Sequence, residues 1–132
     1  MPAHNSEFPW LSYYGNYNFF EERMKGHGKV TELTTIDTGL YDAHLNDGRV
    51  LRVFVCECYS FGGAEYYEAI QRVGAVDAVV INSNWCGYSF ELKVSCQQEN
   101  VGIFDIGGFM AAINLKEHWR FMTEAERKRF KQ

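Results

Sequence analysis

Two carboxylates flank a predicted β-hairpin, and acidic residues in this arrangement can bind a divalent metal ion. Asp42 lies in the segment 40–45, and Glu57 lies in the apolar run 53–59. The Asn-Asp-Gly sequence at 46–48 between them is typical of a hairpin turn. Carboxylate oxygens are the ligands that Mg²⁺ and Mn²⁺ prefer, so we expect a site for one of these ions at Asp42 and Glu57.

The chemistry of such a site is metal-dependent cleavage of a phosphodiester. The metal ion polarises the phosphate and generates hydroxide, and a lysine stabilises the developing negative charge. The place for that lysine is two residues after Glu57, because strand side chains return to the same face every second residue. Tyr59 occupies this position. A tyrosine hydroxyl donates a hydrogen bond but brings no positive charge, since its ordinary pKa is about 10.

The register of the hairpin leaves two candidates for the acid that accompanies Glu57. Pairing centred on Asp47 places Asp42 opposite Arg52 and Asp37 opposite Glu57. Either a β-bulge beyond Asp42 brings that residue to the site, or Asp37 is the metal-side acid. The sequence leaves both alternatives open.

A second set of residues contains a complete Glu-x-Lys pattern. Asp77 is followed by Glu91 and Lys93, which would share one face if 88–96 were a strand. The polar and apolar residues of this segment alternate as they do in a strand, but four-residue spacings within it also suit a helix. On a helix, Glu91 and Lys93 diverge and are predicted to be ordinary surface charges.

The composition indicates one folded domain. The chain has 132 residues, 46% of them hydrophobic, and only two prolines. Its net charge of −4 argues against indiscriminate binding to nucleic acid. No apolar stretch reaches the length of a membrane span and no signal-peptide pattern is present, so we expect a cytoplasmic protein without membrane contact. The four cysteines have no zinc-site spacing and are predicted to be free thiols.

Periodicity and turn signals predict an α/β fold with a mixed sheet of about five strands flanked by helices, in the order α-β-β-β-α-β-α-β-α. Phe19, Phe20 and Met24 are expected to form the buried face of the first helix. The predicted segments are a helix at 16–25, strands at 29–36, 40–45 and 49–59, a helix at 64–73, strands at 75–82 and 101–106, a helix at 109–115, and a last charged helix that begins at the capping box Thr123 to Glu126.

Several short motifs occur in an order that matches a known group of enzymes. They are Phe20-Glu21, Asp37-Thr38-Gly39-Leu40-Tyr41-Asp42, Val55-Cys56-Glu57-Cys58-Tyr59, the apolar run 75–82, Tyr88-Ser89 and the short strand 101–105. On these motifs, the chain resembles the PD-(D/E)XK restriction-endonuclease-like superfamily, and within it the Mrr-like restriction endonucleases. The resemblance extends from about Phe19 to Asn114.

The resemblance implies a restriction-endonuclease-like core and a helix at 88–98. It also implies that Asp42 and Glu57 ligate Mg²⁺ or Mn²⁺, that Glu21 completes the site, and that Tyr59 replaces the motif lysine. The expected function is a metal-dependent DNA endonuclease with a degenerate active site. The alternatives are a catalytically inactive module that binds nucleic acid or protein, and a structural homodimer.

The ends of the chain differ in character from the central part. We predict an aromatic arm at 1–15, the restriction-endonuclease-like domain at 16–114 and a basic helical tail at 115–132. The tail carries six Lys/Arg against three Glu, and Arg127, Lys128 and Lys131 are its candidate contacts to nucleic acid. A solvated helix face is the interpretation that we favour for the same residues. The arm and a sheet edge are the expected surfaces of a homodimer.

Overall fold

The computed structural model describes residues 7–11, 17–82 and 86–130, and within these residues the chain is an α/β protein with five helices around a mixed five-stranded sheet. This confirms the predicted class and sheet. The helices are α1 Asn18–Lys25, α2 Gly63–Val73, α3 Phe90–Gln97, α4 Ile106–Ala112 and α5 Glu124–Phe130, with a 3₁₀ turn at His118–Arg120. The strands are β1 Val30–Asp37, β2 Leu40–Leu45, β3 Val50–Cys56, β4 Ser60–Phe61, β5 Ala78–Ile81, β6 Gly87–Tyr88 and β7 Gly102–Asp105.

The central sheet combines an antiparallel meander with a parallel half. Its strand order is β1-β2-β3-β5-β7, with β1, β2 and β3 antiparallel to one another and β3, β5 and β7 parallel. Parallel neighbours require a crossover, and α2 and α3 supply the two that are needed. Every residue of β5 is buried, as expected for a central strand covered on both faces. The short strands β4 and β6 form a separate parallel pair.

The two faces of the sheet carry two apolar cores. One core packs α1 and α4 against the sheet and includes Phe20, Val55 and Phe109. The other packs α2 and α3 against the opposite face and includes Phe54 and Leu92. Consecutive residues of β3 enter different cores because strand side chains alternate between faces.

The first helix differs from its prediction at one residue. Phe20 and Met24 are fully buried, as their four-residue spacing predicts. Phe19 is 54% exposed, and the guanidinium of Arg23 lies 4.8 Å from the centre of its ring. The expectation that Phe19 belongs to the buried face was therefore wrong, because it lies about 100° around the helix from Phe20.

The ambiguous segment 88–96 is helical. The Ser89 hydroxyl accepts a hydrogen bond from the Leu92 amide at 3.1 Å and begins α3 as an N-cap. The helix implied by the resemblance is thus confirmed, and the alternation of polar and apolar residues was misleading. Only Gly87–Tyr88, before the cap, is extended.

One arginine joins the hairpin turn to the chain that follows α4. Arg49 donates hydrogen bonds to the carbonyl oxygens of Leu115 at 2.8 Å, Lys116 at 3.0 Å and Ile113 at 3.0 Å. Asp47 holds the same guanidinium at 2.9 Å. The planar fork of arginine suits such convergent acceptors, so the turn is fixed against the end of α4.

Candidate metal centre

The carboxylate of Asp42 forms an ion pair with a neighbouring arginine. It lies directly opposite Arg52 in the register of β2 and β3, as predicted. Arg52 donates to both carboxylate oxygens, from Nε to Oδ1 at 2.5 Å and from Nη2 to Oδ2 at 3.2 Å. The Asp42 hydrogen bonds raise the pKa of Arg52, so the guanidinium stays charged. The carboxylate that we expected to bind metal is therefore neutralised within the protein.

Strand pairing shows where each of the two predicted acids, Asp42 and Asp37, lies. The register runs without a shift from Leu40 opposite Phe54 to His44 opposite Val50, so no bulge displaces Asp42. Asp37 belongs to β1, where it pairs with Leu40 and is exposed. Its Oδ1 accepts a hydrogen bond from the Thr38 amide at 2.7 Å. Asp37 thus serves the turn between β1 and β2.

Asp42 lies on one face of the sheet, and Glu57 lies beyond the end of β3. Directly paired residues share a face, so Asp42 lies with Arg52. Continuing along β3 by twos gives Phe54 and then Cys56, which closes the strand. The last β3 side chain on the face of Asp42 is therefore a thiol.

That thiol is poorly suited to bind a hard cation. Cys56 is fully buried, and burial raises its pKa above the usual range. The next thiol along the chain, Cys58, is also buried, and its pKa is raised to about 11 by burial. Both remain protonated at neutral pH, and sulfur is in any case a poor ligand for Mg²⁺. All four cysteines are free thiols, as predicted.

Glu57 lies under the described part of the N-terminal arm. It is 8% exposed, its amide donates to the Trp10 carbonyl at 2.8 Å, and its carbonyl accepts from Cys86 Sγ at 3.4 Å. Trp10 itself is buried edge-on against Phe54 and Phe61. The arm therefore closes the end of the hairpin on the Phe54 side.

Tyr59 is 57% exposed, in contrast to buried Glu57. The predicted strand continued to Tyr59, but β3 ends at Cys56 and the chain bends before β4. The two-residue period that would align Tyr59 with Glu57 stops with the strand. The two residues occupy different environments.

The carboxylate of Glu21 is hydrogen-bonded on the side of the sheet that α1 covers. It accepts a hydrogen bond from the Tyr41 hydroxyl at 2.7 Å. Tyr41 is buried in the core beneath α1, and burial together with Glu21 raises the pKa of its hydroxyl. Because Tyr41 and Asp42 are consecutive in β2, they point to opposite faces. Glu21 and Asp42 thus lie on different sides of the sheet.

The predicted residues do not converge on one point. Among residues 7–11, 17–82 and 86–130, no three His, Cys, Asp or Glu side chains are arranged to hold a metal ion. Asp42 and Glu21 lie on opposite faces of the sheet, buried Glu57 lies beyond the end of β3, and Tyr59 is largely exposed. At the hairpin end, Asp42 binds Arg52, and among the described residues it is not part of a group of three metal-ligating side chains.

The second candidate set is also dispersed. Asp77 accepts a hydrogen bond from the Arg52 amide at 2.7 Å, and Glu91 is exposed with Arg129 at 3.5 Å. Lys93 is 1% exposed, so the expectation that it is a surface charge was wrong. It lies on the side of α3 that also buries Leu92.

Lys93 belongs to a polar cluster that sequence reasoning missed. Its Nζ donates to the Ile103 carbonyl at 2.8 Å, lies 3.3 Å from Glu126 Oε1 and lies 4.5 Å from the centre of the Phe104 ring. The Tyr88 hydroxyl donates to Glu126 Oε2 at 2.6 Å. The signal in the sequence was the position of Lys93 beside Leu92 and three residues before Cys96, on a buried helical stripe.

Burial and charge act in opposite directions within this cluster. Burial lowers the pKa of Lys93 below its usual value, although Glu126 opposes the shift. Burial acts to raise the pKa of Glu126, but hydrogen bonds from Tyr88 and Thr123 and the charge of Lys93 outweigh it, so this pKa is lowered. Burial and the bond to Glu126 raise the pKa of Tyr88. At neutral pH the cluster contains a carboxylate and an un-ionised phenol.

The predicted nucleic-acid contacts in the tail are partly engaged within the chain. Arg127 donates to the Met122 carbonyl at 2.8 Å, whereas Lys128 is exposed. Lys131 lies outside the described residues. The neighbouring Arg129 lies against Glu91 and 4.6 Å from the Phe90 ring centre. This part of the tail does not present a continuous basic surface.

Comparisons with known protein families, with curated proteins and with solved structures find no match. No helix in the described part of the chain is long and apolar enough to cross a membrane.

Proposed function

We propose that this chain is a restriction-endonuclease-like domain that has lost metal-dependent catalysis and acts as a binding module. The observation that carries the proposal is the engagement of both Asp42 oxygens by Arg52. The order of elements agrees with that implied by the resemblance, with α1 before the meander and α2 before the parallel strand β5.

The physical argument against catalysis is one of charge and ligand number. A divalent cation at Asp42 would have to displace a guanidinium that already neutralises the carboxylate. It would then gain a single acidic ligand, which is the low end of the one or two carboxylates that hold Mg²⁺ in proteins together with substrate phosphates. No lysine accompanies Glu57, and the exposed Tyr59 brings no positive charge.

A protein is the partner that the charge favours. The chain has a net charge of −4, and nucleic-acid binding depends on neutralising phosphates with Lys and Arg. Two of the three described arginines and lysines in α5, Arg127 and Arg129, already contact groups of this chain. The exposed Tyr59 and Tyr67 are aromatic residues of the type enriched in protein interfaces.

The test is a nicking assay on supercoiled DNA with Mg²⁺ or Mn²⁺. We expect no nicking by the wild-type protein, and none by Arg52→Ala, in which Asp42 is released but is not part of a group of three metal-ligating side chains among the described residues. Mn²⁺ titration should show no heat of binding in either protein. Metal-dependent nicking that disappears in Asp42→Asn and in Glu57→Ala, but persists in the exposed-acid control Glu32→Gln, would overturn the proposal.

The binding function needs its own measurement. Fluorescence anisotropy should show DNA binding that is weak, independent of sequence and lost by about 0.2 M salt, because the contribution from phosphate contacts falls steeply with salt. Tight, sequence-selective DNA binding at that salt concentration would contradict a protein partner, although not the loss of catalysis.

A further inference from the structure

Helix α5 is held to the protein almost without apolar burial. None of its seven residues is buried, and all of them except the half-buried Glu126 are exposed. A helix of this length is unstable in water without outside contacts, because helix nucleation is costly. The contacts of Glu126 must therefore decide whether α5 stays folded on the body of the protein.

Those contacts form a receptor for a carboxylate, which consists of Tyr88 and Lys93. Tyr88 is the last residue of β6 and gives Glu126 Oε2 a hydrogen bond of 2.6 Å. Lys93 comes from α3 and lies 3.3 Å from Oε1. Its ammonium group is fixed from beneath by the Ile103 carbonyl at 2.8 Å and the face of Phe104. Every group of the receptor thus belongs to the body and none to α5.

A shallow, partly apolar cleft separates other parts of the two helices. It lies between α3 and α5, has a volume of about 630 Å³ and includes Phe90, Val94 and Phe130 in its lining. Phe130 is four residues after Glu126, so the two side chains lie on the same side of α5. The surface of α3 therefore meets a glutamate and an aromatic residue one helical turn apart.

The remaining polar contacts of α5 with α3 are weak. Arg129 lies 3.5 Å from Glu91 and 4.6 Å from the Phe90 ring centre, and both charged side chains are mostly exposed. Exposed pairs of this kind contribute little because water and salt screen them. The Glu126 carboxylate is the one group of α5 that contacts a buried charge.

We propose that the Tyr88–Lys93 receptor on the body of the protein binds a glutamate-bearing helix, and that α5 is a releasable ligand that fills this site within the chain through Glu126. When α5 leaves, the buried ammonium of Lys93 opens to solvent and accepts a glutamate from a helix of another protein. The inference stands apart from the hairpin, since its contacts join β6, α3, β7 and α5.

The first test is amide hydrogen exchange in the full chain. Glu126→Gln keeps the shape of the side chain and removes its charge, and should speed exchange in residues 124–130 at least about tenfold. The matched control Glu124→Gln, an exposed acid of the same helix, should leave that exchange unchanged. Exchange in β5 should not change in either variant. Unaltered exchange of α5 in Glu126→Gln would overturn the proposal, as would a rise throughout the protein.

The second test supplies the helix from outside as a fluorescent peptide of residues 121–132. We expect the Glu126→Gln chain to bind it at least about tenfold more tightly than wild type, whose site α5 already fills. A peptide carrying Glu126→Gln should not bind, and adding Lys93→Met to the chain should abolish binding of the native peptide. Equal binding of both peptides, or equal binding to wild type and Glu126→Gln, would overturn the proposal.

The wild-type protein provides a check that needs no variant. A large excess of the native peptide should speed exchange in its own α5, because the two helices compete for one receptor. The Glu126→Gln peptide at the same concentration should have no effect. Displacement by both peptides would mean that the carboxylate is not what the site recognises.

Discussion

The protein holds two acidic side chains against two basic ones in very different surroundings. Asp42 and Arg52 meet on the sheet with side chains that are 20% and 35% exposed. Glu126 and Lys93 meet where the lysine is 1% exposed and the glutamate 16%. The side chains of the first pair can separate directly into water, whereas Lys93 reaches water only when α5 moves away from it.

The difference shows that a functional group is defined by its surroundings as much as by its spacing in the sequence. Asp42 is part of a recognisable motif, yet its charge is cancelled by its cross-strand neighbour. Lys93 belongs to a pattern that looked incidental, yet it is the most deeply buried cation among the described residues. Buried charges are costly unless they are paired, so Lys93 and its partners constrain this structure more strongly.

Truncating the buried lysine should have the largest effect. Lys93→Ala removes the contacts with Ile103 and Phe104 and leaves a cavity, so we expect a loss of about 3 kcal/mol in the free energy of unfolding. Lys93→Met preserves most of the volume and should cost clearly less. Urea unfolding followed by tryptophan fluorescence measures both. Equal losses in the two variants would show that charge, rather than packing, dominates this site.

Acid should release α5 through Glu126. The folded pKa of this residue is lowered from its usual 4.5, so its stabilising contribution is complete above that pH. The contribution is lost as the pH falls through the folded pKa, when the carboxylate is protonated. Hydrogen exchange of α5 relative to β5 should increase below about pH 4.5 in wild type. The Glu126→Gln protein should show no such relative change, and an identical increase there would contradict the assignment.

Breaking the exposed pair should have a small effect. Asp42→Ala and Arg52→Ala should each cost about 1 kcal/mol or less, with a coupling energy of about 0.5 kcal/mol in a double-mutant cycle. The coupling should shrink further in 0.5 M salt, because both side chains are accessible to ions. A coupling as large as about 3 kcal/mol would place this pair in the same class as Lys93 and Glu126.

Restoring the motif lysine should have the smallest effect. Tyr59→Lys changes an exposed side chain, so the free energy of unfolding should move by no more than about 0.5 kcal/mol. No nicking of supercoiled DNA should appear with Mn²⁺, because the new ammonium would not join Asp42 and Glu57 in one site. A gain of metal-dependent nicking would show that only the lysine had been missing.

Local signals predicted much of the fold. The hairpin register follows from its short turn, in which Gly48 adopts a φ of +94°, a conformation that glycine accepts readily. The capping box of α5 forms as expected, with reciprocal bonds between Thr123 and Glu126 of 3.0 and 3.2 Å. In both cases the interacting residues are only a few positions apart.

Contacts between distant segments were not predictable in the same way. Lys93 is buried by groups from residues 88, 103 and 126, and no spacing in the sequence indicates that they meet. The covering of the hairpin end by Trp10 depends on an arm without a periodic pattern. The candidate site was predicted as a set of residue types, but its geometry depended on where β3 ends and which face each residue takes.

The contacts of Arg49 determine when the hairpin turn can reach its final structure during synthesis. The strands that it connects emerge early and can pair with each other at once. The carbonyls that the Arg49 side chain binds come 64 to 67 residues later. The side chain of Arg49 can therefore form these hydrogen bonds only after most of the remaining chain has been synthesised. In a ribosome-bound fragment that ends before Ile113, we expect the two strands to be paired and the turn between them to be mobile.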